Sequence, residues 1–417
     1  MNNKIIKNIK TLLQVRPDNF KGYIEGKSMQ ELPSLNNAWL AIEGDTIVDY
    51  GLMEDWPGIS DWRNLEVIDA EGKMVLPTFV DSHTHIVFAT SREEEFVGRL
   101  KGLTYQEIAN QGGGILNSAR KLAEMDEETL YQEAYERLDE VMKMGTGAVE
   151  IKSGYGLSVE GELKMLRVIK RLKETHPLTI KATFLGAHAI PKQYKNNKQG
   201  YLNLLVNELL PVIKAEGLAE FVDAFLEDGY FSNEDVSYVL KHALKYGLIP
   251  KVHVNQFTAT QGVETCINHQ ALSVDHLEVM DEQDYLALSS SDCIPTILPS
   301  CSFFLGIPYA PARKMIENNL PVALASDYNP GSTPSGNMEF VIALACIKNK
   351  MLPEEALNAA SINSAYSMKL DHKLGSISRG KLANLIITKP IPSIAYMPYC
   401  FGQSNIEKVI INGNVVN

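Results

Sequence analysis

Between about Lys73 and Ser376, short apolar runs that read as strands alternate with longer stretches of helical periodicity. That alternation points to a parallel sheet, because parallel strands are joined by crossovers long enough to hold a helix. The strand-like runs end near His85, Lys152, His188, Glu227, Asn255, Leu277, Pro299 and Tyr328, which makes eight. Helices are expected between them, for example over 160–174, 201–216 and 233–246. The fold class predicted is α/β, a (β/α)8 barrel whose chemistry sits at the C-terminal strand ends. The first interval, from Ile86 to Gly145, has room for an inserted loop and two helices.

The chain ends have a different character. Ala38 to Tyr50 reads as two short strands around a Gly-Asp turn, and Leu65 to Gly72 as another strand with its turn. Ala383 to Thr388 and Val409 to Val416 repeat that short-strand pattern. Neither end has enough strands to close a core alone, so both are expected to form one small β-sandwich. The organisation predicted is 1–73 and 377–417 as its two parts, with the (β/α)8 barrel over 74–376.

Size and charge narrow the function. A folded chain of 417 residues buries roughly three quarters of its unfolded surface; it needs no structural ion, so a bound metal would serve chemistry. A formal net charge of −12 argues against nucleic acid. It leaves room for a small anion, because one buried Arg outweighs a distant, screened net charge. Five cysteines without a CxxC pair suit reduced thiols in a cytoplasmic protein. The stretch from Met1 to Arg16 lacks a signal-peptide core, and no run approaches about 18 apolar residues, so no membrane partner is expected.

The strand ends carry the reactive side chains. The first ends in Asp81-Ser-His-Thr-His85, the third in Gly186-Ala-His188, the fifth in His253-Val-Asn-Gln256, the sixth in Asp275-His276 and the eighth in Ser326-Asp327-Tyr-Asn329. His83 and His85, two apart on a strand, share one face. An isolated pair of this kind is more often one packed and one solvated ring than a metal site. At a strand end, with His253 and Asp327 at two later ends, it reads as a site for one zinc or iron ion with an open position for water. Such an ion lowers the pKa of water from 15.7 toward about 7. His276, titrating near working pH, is a candidate to move a proton, and His188 to polarise a carbonyl or hold a substrate. Gly112 to Gly114 lacks the Gly-Lys-[Ser/Thr] of a phosphate loop and reads as a mobile loop near the mouth.

The run Leu76-Pro-Thr-Phe-Val-Asp-Ser-His-Thr-His85 resembles the metal-binding signature of the amidohydrolase superfamily. More narrowly, the chain is similar to the imidazolonepropionase family. The shared stretches include Ser91-Arg-Glu-Glu-Glu-Phe96, Thr104-Tyr-Gln-Glu-Ile-Ala109, Glu150-Ile-Lys-Ser-Gly-Tyr-Gly156, Phe184-Leu-Gly-Ala-His188, Ser273-Val-Asp-His-Leu-Glu278 and Ser326-Asp-Tyr-Asn-Pro-Gly-Ser332. The resemblance implies one zinc or iron per subunit on His83, His85, His253 and Asp327. It implies substrate contacts from Arg92, Tyr105, Tyr155, His188, Asn329, Gly331 and Ser332, and a homodimer. The substrate implied is 4-imidazolone-5-propanoate, a small anionic heterocycle of histidine degradation, opened to N-formimidoyl-L-glutamate. Arg92 offers the propionate a planar fork, although pairing with Glu93 to Glu95 on a solvated helix start is the plainer alternative. The loop from Asn329 to Ser332 could supply backbone donors and a hydroxyl. Many amidohydrolases bridge two metals with a carboxylated lysine after the fourth strand. Here that strand ends Phe225-Leu-Glu-Asp228 and the lysine, Lys152, follows the second, which favours one metal. Gln256 stands where some family members carry Glu; it can bind substrate but cannot usefully accept a proton. Catalysis therefore falls to Asp327 and His276, with His188 at the oxyanion. The rivals are an amidohydrolase for another cyclic amide or aminated ring, and a non-catalytic barrel that binds a small anion.

Overall fold

The apolar runs of the middle region form strands buried at almost every position, as parallel strands covered on both faces must be. The computed structural model describes residues 3–60, 63–103, 107–108 and 112–417. Strands β1 (Asn3–Leu13), β2 (Ser34–Glu43), β3 (Thr46–Leu52), β4 (Leu65–Asp69) and β5 (Met74–Pro77) come first. The barrel strands follow: β6 (Phe79–Thr84), β7 (Thr146–Lys152), β8 (Thr179–Ala187), β9 (Phe221–Leu226), β10 (Ile249–Val254), β11 (Ser273–His276), β12 (Ile294–Ile297) and β13 (Ala323–Leu324). The chain finishes with β14 (Leu385–Thr388), β15 (Ile406–Ile411) and β16 (Asn414–Val415).

Strands β6 to β13 neighbour one another in chain order, and their pairs are parallel. Backbone just past β13 closes the ring against β6: the Asp327 N–H donates to the His83 carbonyl at 3.0 Å, and the His85 N–H to the Tyr328 carbonyl at 2.8 Å. Asp81 tightens this seam by accepting from the Ser326 N–H at 2.9 Å and from the Ser326 hydroxyl at 2.5 Å. Three of the predicted ligands thus sit on the seam. The helices Val159–Thr175 and Asn233–Lys245 match the expected ones within a residue or two, with Ser158 and Ser232 as side-chain caps. The expected 201–216 helix runs from Lys198 to Glu216 with a π-helical turn at Leu205–Leu209. The interval after β6 holds three helices among the described residues, Glu93–Leu100, Ile115–Glu124 and Glu127–Lys143, where two were expected.

Both chain ends build one sheet, ordered β16-β15-β14-β5-β1-β2-β3 with β4 beside β1. The start of β3 reaches the chain just ahead of β14, where Thr46 bridges Leu382. The sheet's centre is β1, which the sequence pattern hid. A bulge between Ile6 and Ile9, with Asn8 left-handed at φ 55°, turns both isoleucines toward the core and breaks the alternation. From β5, one residue, Thr78, leads into β6 and its histidines.

Candidate active site

The site grows from the ends of β6, β8, β10 and β11 and from the seam beyond β13. An extended strand alternates its side chains and cannot aim consecutive residues at one axis. At these ends the backbone turns left-handed instead, at Asn255 (φ 59°), His276 (φ 90°), Leu277 (φ 64°) and Asp327 (φ 56°). Each such residue costs about 1–3 kcal/mol, a strain typical of functional sites.

The histidines and Asp327 converge. His83 Nε2 lies 3.1 Å from His253 Nε2, and the Oδ1 of Asp327 lies 3.6 Å from the Nε2 of both His83 and His85. Two groups share His83 as a member: His83, His253 and His276, and His83, His85 and Asp327, each with ligand atoms within 4.8 Å of one another. His83 Nδ1 donates to Asp275 Oδ2 at 2.7 Å, and His253 Nδ1 to Asp223 Oδ2 at 2.8 Å. These bonds hold the rings in the tautomer that leaves Nε2 with a lone pair. Burial, with Lys152 and the neighbouring rings, holds His83 well below the ordinary imidazole value; burial and His276 do the same to His253. No proton therefore sits between the facing Nε2 lone pairs, and a cation there would relieve their repulsion. The buried Nδ1 of His85 has no hydrogen-bond partner. The donor set fits a metal ion.

Beneath the histidines lies a charged layer that sequence reasoning left unassigned. Lys152 Nζ, fully buried, sits 2.7 Å from Glu150, 2.9 Å from Asp223 and 3.6 Å from Asp275. Lys251 reaches the other Glu150 oxygen at 3.2 Å. Burial alone would lower the Lys152 pKa, but Asp223, Glu150 and Asp275 together raise it. The Lys152 ammonium is thus engaged by three carboxylates beneath the histidines, which does not suit a role as a carboxylated bridge between two metals. The signal for this layer was available: Glu150, Lys152, Asp223, Lys251 and Asp275 are charged residues inside otherwise apolar strands.

Above the histidines opens a small pocket lined by His85, Arg92, Tyr155, His188, His253, Gln256, His276, Asp327, Asn329, Gly331 and Ser332, with Ile115, Phe225, Phe257 and Leu305 as apolar walls. Tyr105 lies outside the described residues. Arg92 is buried, so it is not the solvated pair of the plainer reading, yet it does bind Glu95, through Nε at 2.9 Å and Nη2 at 2.6 Å. The other Glu95 oxygen accepts from the Gly114 N–H at 3.0 Å, which ties the glycine loop to Arg92. A Cβ on Gly331 would stand 2.2 Å from Arg92 Nη1, so only glycine lets the guanidinium lie against that loop. Arg99, not foreseen, donates to the Gly331 carbonyl at 3.2 Å.

His188 Nδ1 lies 3.0 Å from the Gly154 carbonyl, which can only accept. Burial pushes the ring down to about 4, so it is neutral with its proton on Nδ1. Its Nε2 therefore offers a lone pair, and the expected role as an oxyanion donor does not suit this tautomer. The ring stacks on His85 at 5.4 Å and neighbours Tyr155 at 5.6 Å. Burial would lower the His276 pKa, but Glu278, 3.4 Å away, raises it instead, assisted by Asp327 and Asp275. Burial raises the Asp327 carboxyl; its Oδ2 accepts from the Ser332 hydroxyl at 2.9 Å. Asn329 Oδ1 accepts from the N–H groups of Gly331 and Ser332, each at 2.8 Å. The donors expected from that loop are thus engaged within it, and Asn329 shapes the loop.

A sequence profile of the amidohydrolase family spans residues 74–416 of this chain. The chain is 56% identical over 412 residues to the imidazolonepropionase of Christiangramia forsetii, covering 99% of each. It is 40% identical over 412 residues to that of Alkaliphilus oremlandii, covering 99% of this chain and 97% of that one. Among solved structures, E. coli guanine deaminase superposes with a TM-score of 0.76 at 14% identity, over 100% of this chain and 99% of that one. A mutant atrazine chlorohydrolase from Arthrobacter aurescens, complexed with zinc and atraton, gives 0.72 at 14% identity over 99% and 94%. The two structural likenesses speak for the fold alone.

Proposed function

This chain belongs to the amidohydrolase family, and within it to the imidazolonepropionases; from that premise we propose that its pocket hydrolyses 4-imidazolone-5-propanoate to N-formimidoyl-L-glutamate in the breakdown of histidine. The observation that carries the reading is the pair of Nε2 lone pairs 3.1 Å apart, with Asp327 beside them and Arg92 in the same pocket. His83, His85, His253 and Asp327 are the residues that would hold one ion, zinc or iron, since three imidazoles and a carboxylate suit both. Such an ion, when bound, acidifies water and polarises a carbonyl.

The rest falls to side chains. Arg92 receives the propionate, which places the ring over the histidines. His188 accepts a ring N–H through its Nε2 lone pair and so orients the carbonyl. Tyr155 flanks the ring, and Gln256 binds it by hydrogen bonds. Asp327, made more basic by burial, takes the proton of the attacking water. His276, its pKa raised by Glu278, delivers a proton to the ring nitrogen as the C–N bond breaks. Asn329, Gly331 and Ser332 hold the loop against Arg92 and Asp327. The five free cysteines support a cytoplasmic location, and the family likeness supports a homodimer.

Metal analysis joined to an ultraviolet assay of imidazolone consumption tests the reading. Stoichiometric zinc or iron with turnover is expected. Turnover of another lactam or a heterocyclic amine in its place would move the chain to a neighbouring activity, and ligand binding without metal would make it a non-catalytic barrel.

A further inference from the structure

Beside the pocket, the end of β11 and the helix Pro299–Leu305 bring three different ligand types together. A nitrogen of His276, a carboxylate oxygen of Glu278 and the Cys301 sulfur all lie within 4.8 Å of one another, and all three residues are buried. His276 Nδ1 is 3.4 Å from Glu278 Oε1, close to the separation of about 3.3 Å that two zinc ligands at about 2.05 Å subtend in a tetrahedron. The second Glu278 oxygen is buried and has no hydrogen-bond partner, although its side chain is 0% exposed. Ser302 donates to Oε1 at 3.2 Å and leaves Oε2 unanswered. The cluster adjoins the pocket, because Gln256 Nε2 reaches Cys301 Sγ at 3.5 Å and Asp327 lies beside the thiol.

We propose that His276, Glu278 and Cys301 form a second metal site, beside the set of His83, His85, His253 and Asp327, that takes a soft divalent ion such as zinc and switches the enzyme off. The donor set of one imidazole, one carboxylate and one thiolate balances a 2+ charge, and a sulfur ligand selects for zinc over magnesium or calcium. On binding, the ion replaces the thiol proton and the Nδ1 proton of His276, and both protons pass to solvent. Inhibition rests on the proposed role of His276 as proton donor; the site itself does not. An ion on Nδ1 leaves a neutral ring whose remaining Nε2 proton is a far weaker acid than that of an imidazolium, so the proton transfer to the leaving nitrogen is lost.

Cobalt(II) titration of the metal-free full-length protein tests the site, because a thiolate ligand gives cobalt a near-ultraviolet charge-transfer band. The band is expected to appear with the second equivalent of cobalt and to be missing in Cys301→Ser, which should still take the first. Glu278→Gln should weaken the second equivalent alone. In parallel, zinc beyond one equivalent should lower turnover of wild type by about 100-fold, the worth of a lost proton donor. Absence of the band after two equivalents, its appearance with the first, or a second equivalent retained unchanged in Cys301→Ser overturns the site. A band at the second equivalent with full turnover overturns the inhibition and, with it, the assignment of His276.

Discussion

The sheet built from the chain ends fills its core with Ile6, Ile9, Leu12, Leu40, Ile42, Ile387 and Ile410, whereas the barrel axis, just as buried, holds Glu150, Lys152, Asp223, Lys251 and Asp275 at 0% exposure. The first region gains stability directly from apolar area withdrawn from water. The second gains little, because the cost of desolvating ions offsets most of their attraction. What the charges do provide is orientation: each carboxylate under a ligand histidine is answered by Lys152 and fixes which ring nitrogen faces the pocket. The comparison teaches that one barrel interior serves both as core and as second layer of the site.

That contrast can be broken by mutation. Lys152→Ala leaves buried Asp223 and Asp275 without their cation and Glu150 with Lys251 alone, and should cost about 3–5 kcal/mol of stability together with bound metal. Denaturant melts and metal content read both losses; a stable, metal-replete variant would end the account of the charged layer. Ile9→Ala in the end sheet should cost about 2–5 kcal/mol as a core cavity, yet leave metal content and KM of the folded enzyme unchanged. Arg92→Ala should raise KM with little change in kcat, by the about 1.5–3 kcal/mol of a hydrogen bond to a charged group. Steady-state kinetics decide it, and unchanged kinetics remove Arg92 from the site.

Asp223→Asn sharpens the comparison further. An amide can present N–H to His253 Nδ1 and favour the wrong tautomer, so metal affinity should fall about 10–100-fold in chelator competition. The last test is in pH, where His276, shifted the other way, offsets part of the effect. In the metal-free protein His83, His85, His188 and His253 have folded pKa values below their unfolded ones. The unfolded chain therefore binds more protons, and their contribution is whole above about pH 6.5 and lost as pH falls toward the folded values, by up to about 1.4 kcal/mol per pH unit for each ring. Thermal melts between pH 7.5 and 5 should show the decline, and a flat profile would contradict it.

Much of this was readable beforehand. The apolar runs located the barrel strands to within a few residues, and the metal-binding candidates stood at their ends. β1 was not readable, because its bulge at Asn8 shifts the alternation midway. The charged layer was readable only in part: its residues stand out inside apolar strands, but a Lys or Asp there says nothing of its partner until the barrel closes.

By itself the sequence determined the alternation of strands and helices, and so which residues stand at the barrel mouth, because side-chain period and crossover length are local properties of the backbone. Only the tertiary structure decided which atoms face one another. The tautomer of His83 is set by Asp275, 192 positions away, and that of His253 by Asp223, 30 positions away. The donor taken from His188 and the close seat of Arg92 on Gly331 are likewise decided by contacts between distant segments. Hydrogen-bond chemistry depends on distances of a few ångströms, and those come into being only when the barrel closes.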